Sequence, residues 1–216
     1  MPKTDSEIKK FTFLWLFSLY FLVGLYPTLL NHIELHPWFN KFHFEELNSF
    51  FSFITYLGDG LGWVIFCIIF LFISFKGSLF IFLSGLLSGT ITQVLKRFVF
   101  NDINRPMFYF KPEDLPTISG IENHLNFSFP SGHSTSAFAL FFSLSLIINK
   151  PKISIGFFFL AFLAAFSRIY LHQHFYRDTY VGAFIGVVST LVIYYWFYKK
   201  VDEKPKWSKS LLSPKI

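Results

Sequence analysis

Residues 130–148 read PSGHSTSAFALFFSLSLII, a polar head of Pro130-Ser131-Gly132-His133 on an apolar run that continues to Ile148. The run approaches the ~20 residues that cross the hydrocarbon of a bilayer, so its head places a histidine at a membrane edge. Further runs of this kind are Phe11 to Leu30, Leu61 to Phe75, Ser78 to Leu95, Ile153 to Leu171 and Thr179 to Tyr198. Hydrophobic residues make up 53% of the 216, aromatics 22% and charged residues only 15%, which excludes an ordinary water-soluble globule. The expected fold is all-α: a polytopic membrane protein with about six transmembrane helices.

The second run is short, and apolar residues continue upstream of it through Phe50 to Leu57. A broken helix starting near Leu47, interrupted at Gly58-Asp59-Gly60, fits this pattern. The first run follows Lys3, Lys9 and Lys10. Its apolar core is too long for a signal peptide and no small-residue cleavage pattern follows, so it reads as a retained anchor.

Six spans divide the loops into two sets of unequal charge. One holds the N-terminus, Lys76, Lys150, Lys152 and the tail from Lys199, with 12 Lys+Arg against 4 Asp+Glu; the other holds 7 against 9 and all seven histidines. Lys and Arg favour the cytoplasmic side. Both termini are therefore expected in the cytoplasm, and the 31–60 and 96–130 segments outside. The net charge of +6 follows from topology and requires no nucleic acid; the tail lysines can touch anionic lipid.

Gly85-xxx-Gly89 and Gly182-xxx-Gly186 are small-residue faces suited to close helix packing. Trp15, Trp38, Trp63 and Trp196 lie near span ends, where interface anchoring is expected. The lone Cys67 sits inside a span and excludes an intramolecular disulfide. No repeat or long linker divides residues 1–216, so a single membrane domain is expected, with its motif-bearing core at about 80–196 and a basic tail at 199–216.

Three stretches carry the chemistry. Pro130 suits the first position of a helix, which would leave the amides of Ser131, Gly132 and His133 free in the first turn as an anion site, with His133 beside it as a proton donor. Read alone, the four residues also fit a plain helix start. In Ser167-Arg168…His174…Asp178, Arg168 closes an apolar helix, where an unpaired guanidinium is expensive. Asp178 lies one turn beyond His174 and can orient one imidazole nitrogen, leaving the other as nucleophile; a structural His–Asp pair is the plainer alternative. His172 and Arg177 are read as interface residues. The third stretch runs from Lys96-Arg97 to Arg105-Pro106, where a guanidinium fork and a lysine point charge suit a phosphoryl group.

In this order, between such spans, the three stretches resemble the type 2 phosphatidic acid phosphatase superfamily of membrane lipid phosphatases, whose soluble relatives include vanadium haloperoxidases. Its pattern is K-x6-R-P, P-S-G-H and S-R-x5-H-x3-D. The second and third are present unchanged. The first departs, because Lys96 precedes Arg105 by nine positions and the family lysine would fall on Phe98. Either the loop is two residues longer and Lys96 keeps its role, the favoured reading, or Arg97 substitutes.

The resemblance implies that His174 attacks phosphorus with Asp178 orienting it, and that His133 protonates the leaving group. It assigns the phosphate oxygens to Lys96, Arg105, Arg168 and the amides of Ser131 and Gly132. The Gly58-Asp59-Gly60 segment and the Leu95-Lys96-Arg97…Arg105-Pro106 wording also look like bacterial members acting on lipid A or polyprenyl diphosphates. The implied protein is a lipid phosphatase of the bacterial inner membrane, active at the periplasmic face, with a phosphorylated lipid as partner and no cofactor. No metal is implied either, since the outer segments carry no carboxylate cluster at binding spacing.

Rival classes fit less well. A haloperoxidase would be soluble, and a transporter would carry charges or broken helices at mid-membrane. A catalytically dead relative would lack one of His133, His174 and Asp178. A phosphotransferase differs only in its acceptor, and phosphatidic acid or phosphatidylglycerol phosphate are alternative substrates.

Overall fold

The computed structural model describes residues 13–111, 113–200 and 209–212. Lys3, Lys9, Lys10 and the tail lysines 204, 206 and 215 lie outside them. Among the described residues the secondary structure is helical. In chain order the helices are α1 (Leu14–Thr28), α2 (His32–Asn40), α3 (Asn48–Ile54), α4 (Gly60–Leu71), α5 (Phe75–Val94), α6 (Pro106–Tyr109), α7 (Gly132–Ile148), α8 (Pro151–Tyr170) and α9 (Tyr176–Ile193). Tight 3-10 turns at Glu45–Leu47 and Thr55–Gly58 flank α3, and π-helical turns at Leu95–Val99 and Tyr194–Tyr198 extend α5 and α9.

Each apolar run of the sequence is a helix, but they do not all span alike. Three are long and apolar enough to cross a bilayer: Phe75–Val99, Pro151–Tyr170 and Tyr176–Tyr198. Two more candidates are bent pairs, α1 with α2 at 114° and Glu45–Gly58 with α4 at 56°. The expected straight first span to Leu30 thus ends at Thr28. Pro27 lies in its last turn, and Asn31 restarts the chain as α2 by accepting the Ile33 amide at 3.1 Å. The second bend falls at Gly58-Asp59-Gly60, where the sequence shows its interruption.

Helix α7 is the axis of the bundle. Its Ala137, Phe138, Ala139, Leu140, Phe141, Phe142 and Leu144 are all buried, so a 17-residue helix, about 25 Å long, is wrapped by its neighbours. Phe17 of α1 packs edge-on against Phe142 of α7 and Phe158 of α8, at centroid distances of 4.7 and 5.0 Å. Its hydroxyls bond within the helix, Ser143 donating to the Ala139 carbonyl at 2.7 Å and Ser145 to that of Phe141 at 2.8 Å. Neither of these two hydroxyls is left to lipid.

The small-residue faces behave differently. A Cβ at Gly182 or Gly186 would collide with the Ser131 or Thr135 carbonyl of α7, so both glycines let α9 touch α7 backbone to backbone. Gly85 instead receives the Trp63 indole, whose N–H donates to the Ile81 carbonyl at 2.9 Å, while Gly89 faces open space. Trp63 is therefore a packing residue and not an interface anchor. Trp15, Trp38 and Trp196 are exposed, as are Leu22, Val23, Phe53, Leu61 and Phe98. An apolar surface of that extent belongs against hydrocarbon.

The polarity of the bundle follows from its two ends. At one, Lys76 stands over the Tyr198 ring at 4.1 Å, the Leu211 amide donates to Leu71, and the Phe75 amide donates to Lys209. Lys76 and the described tail residues thus share an end. The end of α5, the start of α7, the end of α8 and the start of α9 lie at the other, carrying all three motifs.

Candidate active site

Asp178 is the third residue of α9 and is fully buried. Its Oδ2 accepts the backbone N–H of Phe175 at 3.0 Å, closing half of a capping box, and the Ser128 hydroxyl at 2.5 Å. Its carbonyl accepts the Ser131 amide at 3.0 Å, tying the head of α7 to the head of α9. His174 precedes the helix by two residues, and its Nδ1 lies 3.6 Å from Oδ2. Burial, followed by the charges of Arg105, Lys96 and Arg168, holds the His174 imidazole well below the ordinary histidine value of 6.5. That shift favours the neutral imidazole over the imidazolium.

The same three cations act on His133 at the start of α7. Lys96 enters from the π-helical turn that ends α5; such a turn rotates side chains relative to an α-helix. Arg97, one residue on, turns away and donates from Nε to Gln93 at 3.2 Å on the exposed face. Arg168 closes α8, and its Nη1 donates to the Thr55 hydroxyl at 2.7 Å, while Nε has no hydrogen-bond partner. Arg105 is braced by Nε donating to the Asn126 carbonyl and Nη1 to Gln173 Oε1, both at 3.0 Å. Burial draws its guanidinium down from the ordinary range and the negative charge of Asp178 opposes that, so it remains a cation.

Two expectations are corrected. Pro130 precedes the helix start: Ser131 is the cap, its hydroxyl accepting the Ser134 amide at 3.4 Å, and Gly132 is the first helical residue. With its N–H committed to Asp178, Ser131 has no amide to offer an anion; Gly132 and His133 hold the first-turn positions whose amides lack a carbonyl partner in the helix. His172 is no interface residue either. It is buried, with Nδ1 3.2 Å from His36 Nε2, and burial together with the charge of His43 pushes it down to about 4. Arg177 does face outward in part, but its Nε lies 3.6 Å from Asp178 Oδ1.

Thr55, Asn126, Ser128 and Gln173 are in the site without having been singled out. Gln173 adjoins His174 and Ser128 lies two residues before Pro130, so adjacency to a motif was the available signal for both. Nothing in the sequence marks Thr55, which arrives through the bend before α4. Between α4 and α5 an open groove of about 410 Å3, lined by Trp63, Leu86, Gly89, Val94 and Phe98, runs up to Arg97.

The model of the PAP2 superfamily matches residues 77–202. LpxE from Aquifex aeolicus is a structural neighbour at 29% identity and TM-score 0.68, over 76% of this chain and 94% of that one. A transmembrane PAP2-type phosphatidylglycerolphosphate phosphatase from Bacillus subtilis shares the fold at 21% identity and TM-score 0.57, over 87% of this chain and 96% of that one. No curated protein sequence matches the chain. With more than half of its length, all three sequence stretches included, inside the family model, this chain belongs to the PAP2 superfamily.

Proposed function

We propose that this protein is a membrane lipid phosphatase that works through a phosphohistidine. The observation that carries the reading is the convergence of three cations, Lys96, Arg105 and Arg168, on a neutral, buried His174 beside Asp178. His174 Nε2 attacks phosphorus while the P–O bond to the lipid breaks and His133 protonates the departing oxygen. Water, activated by His133, then cleaves the N–P bond and restores His174. Lys96, Arg105, Arg168 and the Gly132 amide hold the equatorial oxygens, and stabilisation there is commonly the largest part of the rate gain.

Three protein cations supply the charge that a metal would otherwise bring, so turnover proceeds without one. Lipid A or undecaprenyl diphosphate, presented at the outer face of the inner membrane, is the proposed substrate, and both termini are cytoplasmic.

Purified protein in detergent with EDTA should release phosphate from one member of a panel of lipid A, undecaprenyl diphosphate, phosphatidic acid and phosphatidylglycerol phosphate. His174→Ala should abolish both release and acid-labile phosphoenzyme. Substantial release by His174→Ala, or release that requires Mg²⁺, would sink the mechanism.

A further inference from the structure

The His174–Asp178 contact contains a gap that a third residue fills. Nδ1 and Oδ2 lie 3.6 Å apart, an ion-pair contact with no direct hydrogen bond. The Ser128 hydroxyl touches both, donating to Oδ2 at 2.5 Å and meeting Nδ1 at 3.5 Å, the long end of hydrogen-bond range. We propose that Ser128 is a positioning residue that relays Asp178 to His174 and thereby fixes the histidine tautomer. This rests on the phosphohistidine reading above.

A hydroxyl has one proton to donate and two lone pairs to accept with. An ionised carboxylate only accepts, so the short contact to Oδ2 uses the Ser128 proton. The lone pairs of Oγ then face Nδ1, and that nitrogen must carry hydrogen. Nε2 is left with its lone pair for phosphorus. When the N–P bond forms and the P–O bond to the lipid breaks, the Nδ1 proton stays on the ring, whose positive charge is offset by Asp178 through Ser128. No proton passes to serine or aspartate.

The backbone around Ser128 is arranged to hold it there. It is completely buried, and its own N–H donates to the Ile103 carbonyl at 2.8 Å. The Arg105 amide donates to the Leu125 carbonyl at 2.8 Å, so residues 103–105 and 125–128 clasp each other and Ser128 is set by the segment that presents Arg105. Phe127, immediately before it, has φ +56°, a left-handed conformation that bulky residues avoid. Strain of this kind persists only where the surroundings impose it. Asp178 Oδ1 has no hydrogen-bond partner, which leaves Oδ2 as the oxygen through which the carboxylate acts.

The isosteric pair Ser128→Thr and Ser128→Val separates the hydroxyl from its volume, with Ser128→Ala as the third variant. Removing the hydroxyl should lower kcat by about 10- to 100-fold while KM stays within about 3-fold, because the loss falls on attack and not on binding. Ser128→Thr should recover most of the rate and Ser128→Val should not. Independently of turnover, protein labelled with 15N-histidine should show His174 as the Nδ1–H tautomer, assigned by its disappearance in His174→Asn, and a tautomer mixture in Ser128→Ala. An unchanged tautomer in Ser128→Ala, or equal rates for Thr and Val, overturns the proposal. If the wild-type protein hydrolyses no lipid phosphate, the phosphatase reading fails and the tautomer comparison still decides the role of Ser128.

Discussion

Lys96 and Arg97 are adjacent cations with opposite fates. Lys96 contributes to the field that holds His174 neutral, whereas Arg97 pairs with Gln93 on the exposed side of α5. Lys96→Ala should cost on the order of 2 to 4 kcal/mol in kcat/KM, roughly 30- to 1000-fold, as expected of a contact to the transferring oxygens. Arg97→Ala should cost a few-fold at most, since an exposed pair contributes about 0 to 1 kcal/mol. The pH profile provides a second readout. Because the charge of Lys96 helps hold His174 below 6.5, its removal lets the histidine protonate at higher pH. The acid limb of kcat/KM should then move up in Lys96→Ala and stay in place in Arg97→Ala. The reverse ranking would transfer the phosphate contact to Arg97 and leave the His174 chemistry standing.

Elements decide how closely the motifs meet. The second motif starts α7 and the third runs from the end of α8 into α9, and the close approach of α9 to α7 at Gly182 and Gly186 helps bring them together. Gly182→Ala sets a methyl against the Ser131 carbonyl, next to the bond from the Ser131 amide to Asp178. Overpacking of this kind costs about 1 to 3 kcal/mol, and here it also pushes the head of α7 away from His174. A lower Tm and reduced kcat/KM are expected together. Gly89→Ala is the control, because nothing stands within 4 Å of a Cβ there and alanine favours the helix. Equal damage from the two substitutions would show that the α7–α9 contact does not position the site.

For the whole molecule, the charge asymmetry makes a statement about sidedness. Lys76 and Lys209 are at the end of the bundle opposite the motifs. In a Cys67→Ser background, cysteines at Glu122 and Lys209 should react with impermeant reagents from opposite sides of the membrane, Glu122 from the periplasm. Labelling of both from one side would contradict the proposed orientation.

Local chemistry is what a sequence states directly, and it was sufficient for much of this protein. Apolar runs of membrane length determined that the chain is helical and roughly where α1, α4, α5, α7, α8 and α9 lie, because backbone groups in hydrocarbon must bond within their own segment. Residue type and spacing identified His133, His174, Asp178, Arg105 and Arg168 as a set, and broke the second run at Gly58-Asp59-Gly60. What depends on atoms distant in sequence was not legible. The 114° turn after Thr28, the commitment of the Ser131 amide to Asp178, and the recruitment of Thr55, Ser128 and Gln173 all required the packed bundle. The physical reason is the same in each case: a buried polar group must find a partner, and only the tertiary arrangement determines which one is within reach.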